Sequence, residues 1–283
     1  SRLVHQRFMG RAFSVHTFAG FLGQAVGPAA MLFLITFTDW RNALIICAAL
    51  GFAGALLLGF NMSALRDAHT ATPCRHSTLP QRHGLRLLLS LPVMMGLLFY
   101  VTISISGQGL QGFSVSSLHL TYEAPIVELG FILSAYLLAA PVGVLLGGLL
   151  ADRTTRHDFN VALCFSVSAM AVFSVAAFDL PLVLIGVLMA LCGLSHGMVA
   201  PSRDMLIRAV TPAQHAGKVF GFVSTGFNIG STFAPILYGY LLDNTEPRLV
   251  FWTAGCFLLL TVAMVLATAH VGRRSLQLDG MER

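Results

Sequence analysis

Tyr100, Ser104, Gln108 and Gln111 follow one another at steps of four, four and three within a stretch, 87–122, that contains no Lys, Arg, Asp or Glu. At 3.6 residues per turn, those steps place all four on one helix face. Amides are costly to bury unless something accepts from them and donates to them. The face therefore predicts a water-filled cavity or a facing helix, and its chemistry suits holding a polar solute by hydrogen bonds. Gln24 shares a face with His16 and Gly20 in the uncharged stretch 12–38, and Asn228 stands among Ser224, Thr225 and Ser231 in 219–242. Tyr100, Ser104, Gln108, Gln111, Gln24 and Asn228 are the candidate cavity residues; interhelical hydrogen bonding is the competing assignment. His16 and His196 are the histidines well within uncharged stretches. Histidine titrates near neutral pH and is suited to carrying a coupling proton. Both are placed near the inner ends of their stretches, where a static role is the alternative.

The elements that hold these residues follow from the charges. Only 10% of the 283 residues are charged and 56% are hydrophobic, against about 25% charged in a soluble domain. Eight stretches are free of Lys, Arg, Asp and Glu: 12–38, 42–65, 87–122, 129–151, 159–178, 180–202, 219–242 and 249–272. Roughly 20 apolar residues of helix cross a bilayer core, and barrel strands of about ten do not fit such lengths. The sequence predicts an all-α membrane protein with eight visible spans. Stretch 87–122 reads as one span with a loosened, glycine-rich outer end and then a loop around 116–122.

Threading eight spans with the amino terminus inside puts 15 of the 17 Lys and Arg residues on inner segments, leaving only Arg41 and Arg248 outside. Cytoplasmic enrichment of Lys and Arg orients membrane proteins, so both ends are expected in the cytoplasm. The net charge of +5 then reflects orientation, not nucleic acid. With Arg203 counted among the inner anchors, the spans hold no buried Lys or Arg, which favours a neutral or amphiphilic solute. Cys47, Cys74, Cys164, Cys192 and Cys256 show no motif spacing and are expected as free thiols. Cys74, His76 and His83 match no zinc pattern, so no metal is expected. No nucleophile–base pair, phosphate loop or paired carboxylate stands out. The residues argue against an enzyme and imply no cofactor.

Sliding the chain on itself by 207 residues exposes a repeat. Gly10-Arg11-Ala12-Phe13 falls on Gly217-Lys218-Val219-Phe220, Gly23 on Gly230, Pro28 on Pro235, Asp39 on Glu246 and Arg41 on Arg248. The first two spans are thus mates of the last two. The repeat predicts four further spans, about 120 residues, ahead of Ser1, and a parent of twelve spans in two parallel six-span halves. In this scheme 1–62 closes the first half, 63–85 is a cytoplasmic linker, 86–272 is the second half and 273–283 is a cytoplasmic tail.

Three local motifs and the repeat resemble the major facilitator superfamily over nearly the whole chain. Gly148-Leu149-Leu150-Ala151-Asp152-Arg153-Thr154-Thr155-Arg156 is similar to the family's Gly-x-Leu-Ala-Asp-Arg-x-Gly-Arg loop, with Thr155 in place of the usual glycine. Gly23-Gln24-Ala25-Val26-Gly27-Pro28 resembles its Gly-x-x-x-Gly-Pro element, and Met31 departs from the glycines that continue it. Thr211-Pro212 with Gly217–Gly221 resembles the entry to the eleventh span. Segments 200–204 and 221–226 look like those of fosmidomycin-resistance-type exporters. The resemblance implies alternating access and, by analogy, proton-coupled export of a small drug-like compound from a bacterial inner membrane. Uptake of a sugar or organic acid is the alternative, and a non-transporting scaffold or inactive fragment is the alternative of another class.

The loop residues Gly148, Asp152, Arg153, Arg156 and Asp204 are expected to form a latch that closes in one transport state and breaks in the other; plain positive-inside anchors are the alternative. Asp152 would face the start of a neighbouring helix, where free N–H groups favour an anion, and Arg153 and Arg156 would pair with Asp204. Small residues recurring every four positions let helix backbones approach closely. They are Gly143 and Gly147; Gly23 and Gly27, followed by Pro28; and Gly226 and Gly230, followed by Pro235. They suit close helix contacts at a moving interface between halves, with static packing as the alternative. Asp39 and Glu246-Pro247 read as helix starts.

Overall fold

A computed structural model describes residues 9–60, 88–154, 156–209 and 216–281. All regular structure among them is helical: α1 (Met9–Phe37), α2 (Trp40–Phe60), α3 (Leu91–Gln108), α4 (Ser114–Tyr122), α5 (Ile126–Arg153), α6 (His157–Ala177), α7 (Leu182–Ala209), α8 (Ala216–Asn244) and α9 (Leu249–Met281). Helices α3 and α4 are one rod joined by a π-helical turn, Gly109–Phe113. The uncharged stretches fall on these helices in order. Segments 63–85 and 211–215, with Cys74, His76, His83 and Thr211-Pro212, lie outside the described residues.

Six helical segments are long and apolar enough to cross a membrane: Trp40–Phe60, Val93–Tyr122, Ile126–Arg153, His157–Ala177, Leu182–Leu206 and Leu249–Ala267. Their exposed faces carry large apolar side chains, as in Phe131, Leu138, Val142 and Leu149 of α5. Water would not favour such a surface, whereas lipid does.

The expected loop at 116–122 is helix instead. Glycines 107, 109 and 112 do loosen the rod, but as a π turn that keeps the backbone hydrogen-bonded through the crossing, as hydrocarbon demands. A Cβ on Gly109 would lie 2.5 Å from the Tyr238 ring. The turn thus exists where a bulky α8 side chain presses on the α3 backbone. Helix α9 also continues past the expected end of its span, through Arg273 and Arg274 to Met281.

The strongest pairing joins α5 to α7, followed by α3 to α8 and α6 to α9. Glycines explain the first. Cβ atoms on Gly143 and Gly147 would stand 2.0 and 2.3 Å from the carbonyl oxygens of Leu194 and Met198. On the other helix, Gly193 and Gly197 abut Tyr136 and Ala140 at 2.1 and 2.0 Å. Gly226 and Gly230 do the same for α8, meeting the Leu97 and Val101 carbonyls at 2.6 and 2.7 Å. Both of these close contacts lie within α3–α9. Gly23 and Gly27 on α1 have nothing within 4 Å. Pro28 falls on the α1 backbone, and Pro235 is exposed on α8.

Side-chain bonds fix the remaining contacts. Thr261 Oγ1 lies 2.9 Å from Thr102 Oγ1 between α9 and α3, and Ser117 donates to the Pro247 carbonyl at 2.6 Å. Asp39 caps α2 by accepting the Asn42 N–H at 3.0 Å, as its sequence position predicts. The Leu249 N–H donates to the Glu246 carbonyl at 2.9 Å, opening α9 where Glu246-Pro247 predicts a start.

Candidate functional site

A cavity of about 280 Å3 opens between α1, α3, α7 and α8. Its polar wall is Gln24 from α1, Ser104, Gln108 and Gln111 from the α3 rod, and His196 and Arg203 from α7; Phe21, Ile103 and Phe227 supply apolar surface. Small-molecule sites are typically about 300–1,000 Å3 and mostly apolar with a few placed polar groups. This cavity sits at the small end of that range.

Of the six nominated cavity residues, four converge here. Ser104 also donates to the Phe227 carbonyl at 2.8 Å, so it both packs α3 on α8 and borders the cavity. Gln111 reaches the Tyr136 hydroxyl at 3.5 Å. Tyr100 does not line the cavity; it is buried behind the wall, its hydroxyl donating to Asp204 Oδ1 at 3.3 Å. Asn228 is exposed. It follows Phe227, which faces the cavity, and one helical step rotates a side chain by about 100°. Its carbonyl accepts from Ser231 and Thr232 within α8.

The two histidines separate. His16 is exposed, eight residues before Gln24 and so roughly 12 Å lower on α1. His196 is midway along α7, not near an inner end. Its ring is surrounded by Phe21 at 6.2 Å, Phe165 at 6.2 Å and Tyr136 at 6.4 Å between centroids. The Gly193 and Gly197 contacts with α5 hold it there.

Arg203 is the residue the sequence reading missed. Counted as an inner anchor, it is instead a cavity cation, its side chain only 12% exposed. The guanidinium carbon lies 5.0 Å from the Tyr100 ring centre and 5.2 Å from that of Phe227. Arg203 Nε donates to Asp204 Oδ1 at 2.9 Å. The inference of no buried cation is therefore corrected. A signal was present: Arg203 is seven residues, two turns, beyond His196, so the two share a face.

Asp204 takes Arg203 and Tyr100 as its partners in this structure, and the expected state-dependent pairing with Arg153 and Arg156 is not formed here. Both of those arginines are exposed. They end α5 and precede α6, and the Arg156 N–H donates to Thr154 Oγ1 at 3.2 Å; Thr155 lies outside the described residues. Gly148 is buried near the end of α5. Asp152 meets Arg11 at 3.0 Å, in the first described turn of α1. The acidic residue of the loop thus meets a side-chain cation on a neighbouring helix. No group of three metal-ligating side chains forms among the described residues.

Residues 97–280 match the family model of the Major Facilitator Superfamily. The chain belongs to the Major Facilitator Superfamily. Its membership and its six apolar helices make it a multi-pass membrane protein. Curated superfamily relatives are remote. The 3-(3-hydroxy-phenyl)propionate transporter of Escherichia coli K12 is 29% identical over 66% of this chain and 45% of its own length. A probable sulfoacetate transporter of Cupriavidus necator is 23% identical over 81% and 57%. The quinolone resistance protein NorA of Staphylococcus aureus is 28% identical over 52% and 37%. The chain spans about half the length of the curated relatives it matches. A bacterial homologue of the iron transporter ferroportin, solved in an outward-facing state, shares the fold with a TM-score of 0.70 at 15% identity, over 95% of this chain and 66% of that one.

Proposed function

We propose that this superfamily member is a secondary transporter that carries a small organic solute through the cavity by alternating access. The observation that carries the reading is convergence. Gln24 comes from α1, Gln108 and Gln111 from the α3 rod and its π turn, and His196 from α7, yet all border one cavity. Gln111 also reaches the Tyr136 hydroxyl at 3.5 Å, yet it borders the same cavity as Gln24 and Gln108. Here they face shared space beside aromatic surface, as a solute site requires.

The architecture that goes with this reading is the twelve-span parent, with α1 to α9 supplying its last eight spans. Residues 1–62 end the first six-span half, 63–85 link the halves, 86–272 form the second half and 273–283 a tail. Both ends lie in the cytoplasm of a bacterial inner membrane. The cavity then sits between α1 of one half and α3, α7 and α8 of the other, where rocking of the halves would expose it to either side in turn. Protons are the coupling ion in this reading, and His196, the histidine that reaches the cavity, is the residue placed to carry one.

Export of a drug-like compound is favoured by the relative named for quinolone resistance. Movement of an organic acid is favoured by the relative named for a hydroxyphenylpropionate. These readings differ in the charge the cavity must accept. The transport reading is tested by solute flux in proteoliposomes carrying Gln108→Ala and Gln111→Ala. Altered affinity or rate is expected in both, and unchanged flux in both would remove the cavity from the transport path.

A further inference from the structure

We propose that the solute is a small organic monoanion with an apolar, ring-sized body, and that Arg203 selects its charged group. This deepens the transport reading and rests on it.

Among the described residues, Arg203 is the formal charge on the cavity wall; the other polar lining groups, Gln24, Ser104, Gln108, Gln111 and His196, are amides, a hydroxyl and an imidazole. A guanidinium carries five N–H donors in a planar fork that matches an oxyanion edge-on. Asp204 takes the Nε donor at 2.9 Å. Four donors on the terminal nitrogens remain for Tyr100, water and a ligand. The rings of Tyr100 and Phe227, themselves 4.7 Å apart between centroids, hold the guanidinium at 5.0 and 5.2 Å. A cation beside aromatic rings and paired through its Nε is restricted in orientation and weakly hydrated, which suits it to recognising a bidentate anion.

Asp204 contributes to selectivity by placing a negative charge behind the arginine. The pair is neutral at a distance, so small inorganic anions gain little long-range attraction. An organic anion gains the terminal N–H contacts at short range and, in addition, apolar surface from Phe21, Ile103 and Phe227. The glutamine amides elsewhere on the cavity wall suit a hydroxyl or carbonyl on the body. An organic cation would meet the guanidinium directly, and like charges at contact are repelled strongly where water is scarce.

The test is calorimetric binding to the purified chain, with 3-phenylpropionate and its neutral isostere 3-phenylpropanamide as probes. The carboxylate is expected to bind roughly tenfold or more tightly than the amide, as the loss of a charge-assisted pair implies. Arg203→Gln is expected to erase that preference while the amide still binds. Arg203→Lys, which keeps the charge and loses the fork, is expected to retain part of it and covers the case in which Arg203→Gln fails to fold. Asp204→Asn, by removing the competing carboxylate, is expected to tighten the carboxylate about threefold or more and leave the amide unchanged. Equal affinity for the two probes, binding of neither, or a preference that survives Arg203→Gln would overturn the proposal. Those results would leave transport itself standing. The transport reading fails separately, if the Gln108→Ala and Gln111→Ala proteins keep unaltered flux.

Discussion

Gly193 of α7 meets Tyr136 of α5 with no room for a side chain: a Cβ on Gly193 would lie 2.1 Å from the Tyr136 carbonyl oxygen. His196, three residues along the same helix and on the cavity wall, is thereby carried to the Tyr136 ring. The cavity geometry depends on this backbone contact, because lipid supplies no hydrophobic drive between helices and close approach must do so. Gly193→Ala is expected to lower stability by about 1–3 kcal/mol through overpacking, read as a lower thermal midpoint in detergent. Gly23→Ala, at a position with nothing within 4 Å, is expected to change stability by about 0.5 kcal/mol or less. Equal effects at the two sites would contradict the packing described.

At the opposite end of the α3 rod, Arg248 pairs with Asp179. That hydrogen bond is the main cause of a raised Arg248 pKa. A raised basic pKa gives stability that is present below the ordinary arginine range and is lost only above it, so the pair does not weaken between pH 6 and 9 from this cause. Asp179 is 82% exposed, and exposed pairs contribute about 1 kcal/mol or less. Arg248→Ala is expected to cost no more than that, with the difference shrinking in high salt. A larger or salt-independent loss would show that the pair does more than tie loops together.

The Asp152–Arg11 contact joins α5 to α1 across the two proposed halves. If it closes in one transport state only, Asp152→Asn should lower the maximal flux severalfold and move the solute KM by less than about twofold, since no binding contact is lost. A large KM change with unaltered maximal flux would make the contact part of the binding path instead.

His196→Gln keeps a hydrogen-bonding side chain and removes the titrating group. Proton-coupled flux should lose its acceleration by an imposed acid gradient, while solute counterflow, which needs no net proton movement, continues. Retained acceleration would move the coupling role elsewhere in the protein.

Most of the helical plan was legible because charge is expensive in lipid and its absence marks each crossing. The uncharged stretches predicted the helices in order, and the four-residue periodicity of Gly143 with Gly147 found the tightest contact. What periodicity cannot supply is the partner. Gly147 fits Met198 of α7, yet nothing in the stripe itself says which helix will face it. The polar periodicity of the α3 rod groups Ser104, Gln108 and Gln111, and the structure sets all three around one cavity. Tyr100, at the same spacing, was drawn away by Asp204, a contact 104 residues distant in sequence. Arg203 was hidden by its position near a helix end, where arginines ordinarily reach for headgroups. It lies beside the rings of Tyr100 and Phe227, which come from other helices, and pairs with Asp204.

The most direct measurement is two-sided accessibility of the cavity. Gln108→Cys, in a chain whose five native cysteines are replaced, would be probed in oriented vesicles with a membrane-impermeant thiol reagent, with and without solute. The account predicts labelling from both faces of the membrane, with solute shifting the ratio between them. Labelling from one face alone under every condition, or none at all, would contradict alternating access through this cavity.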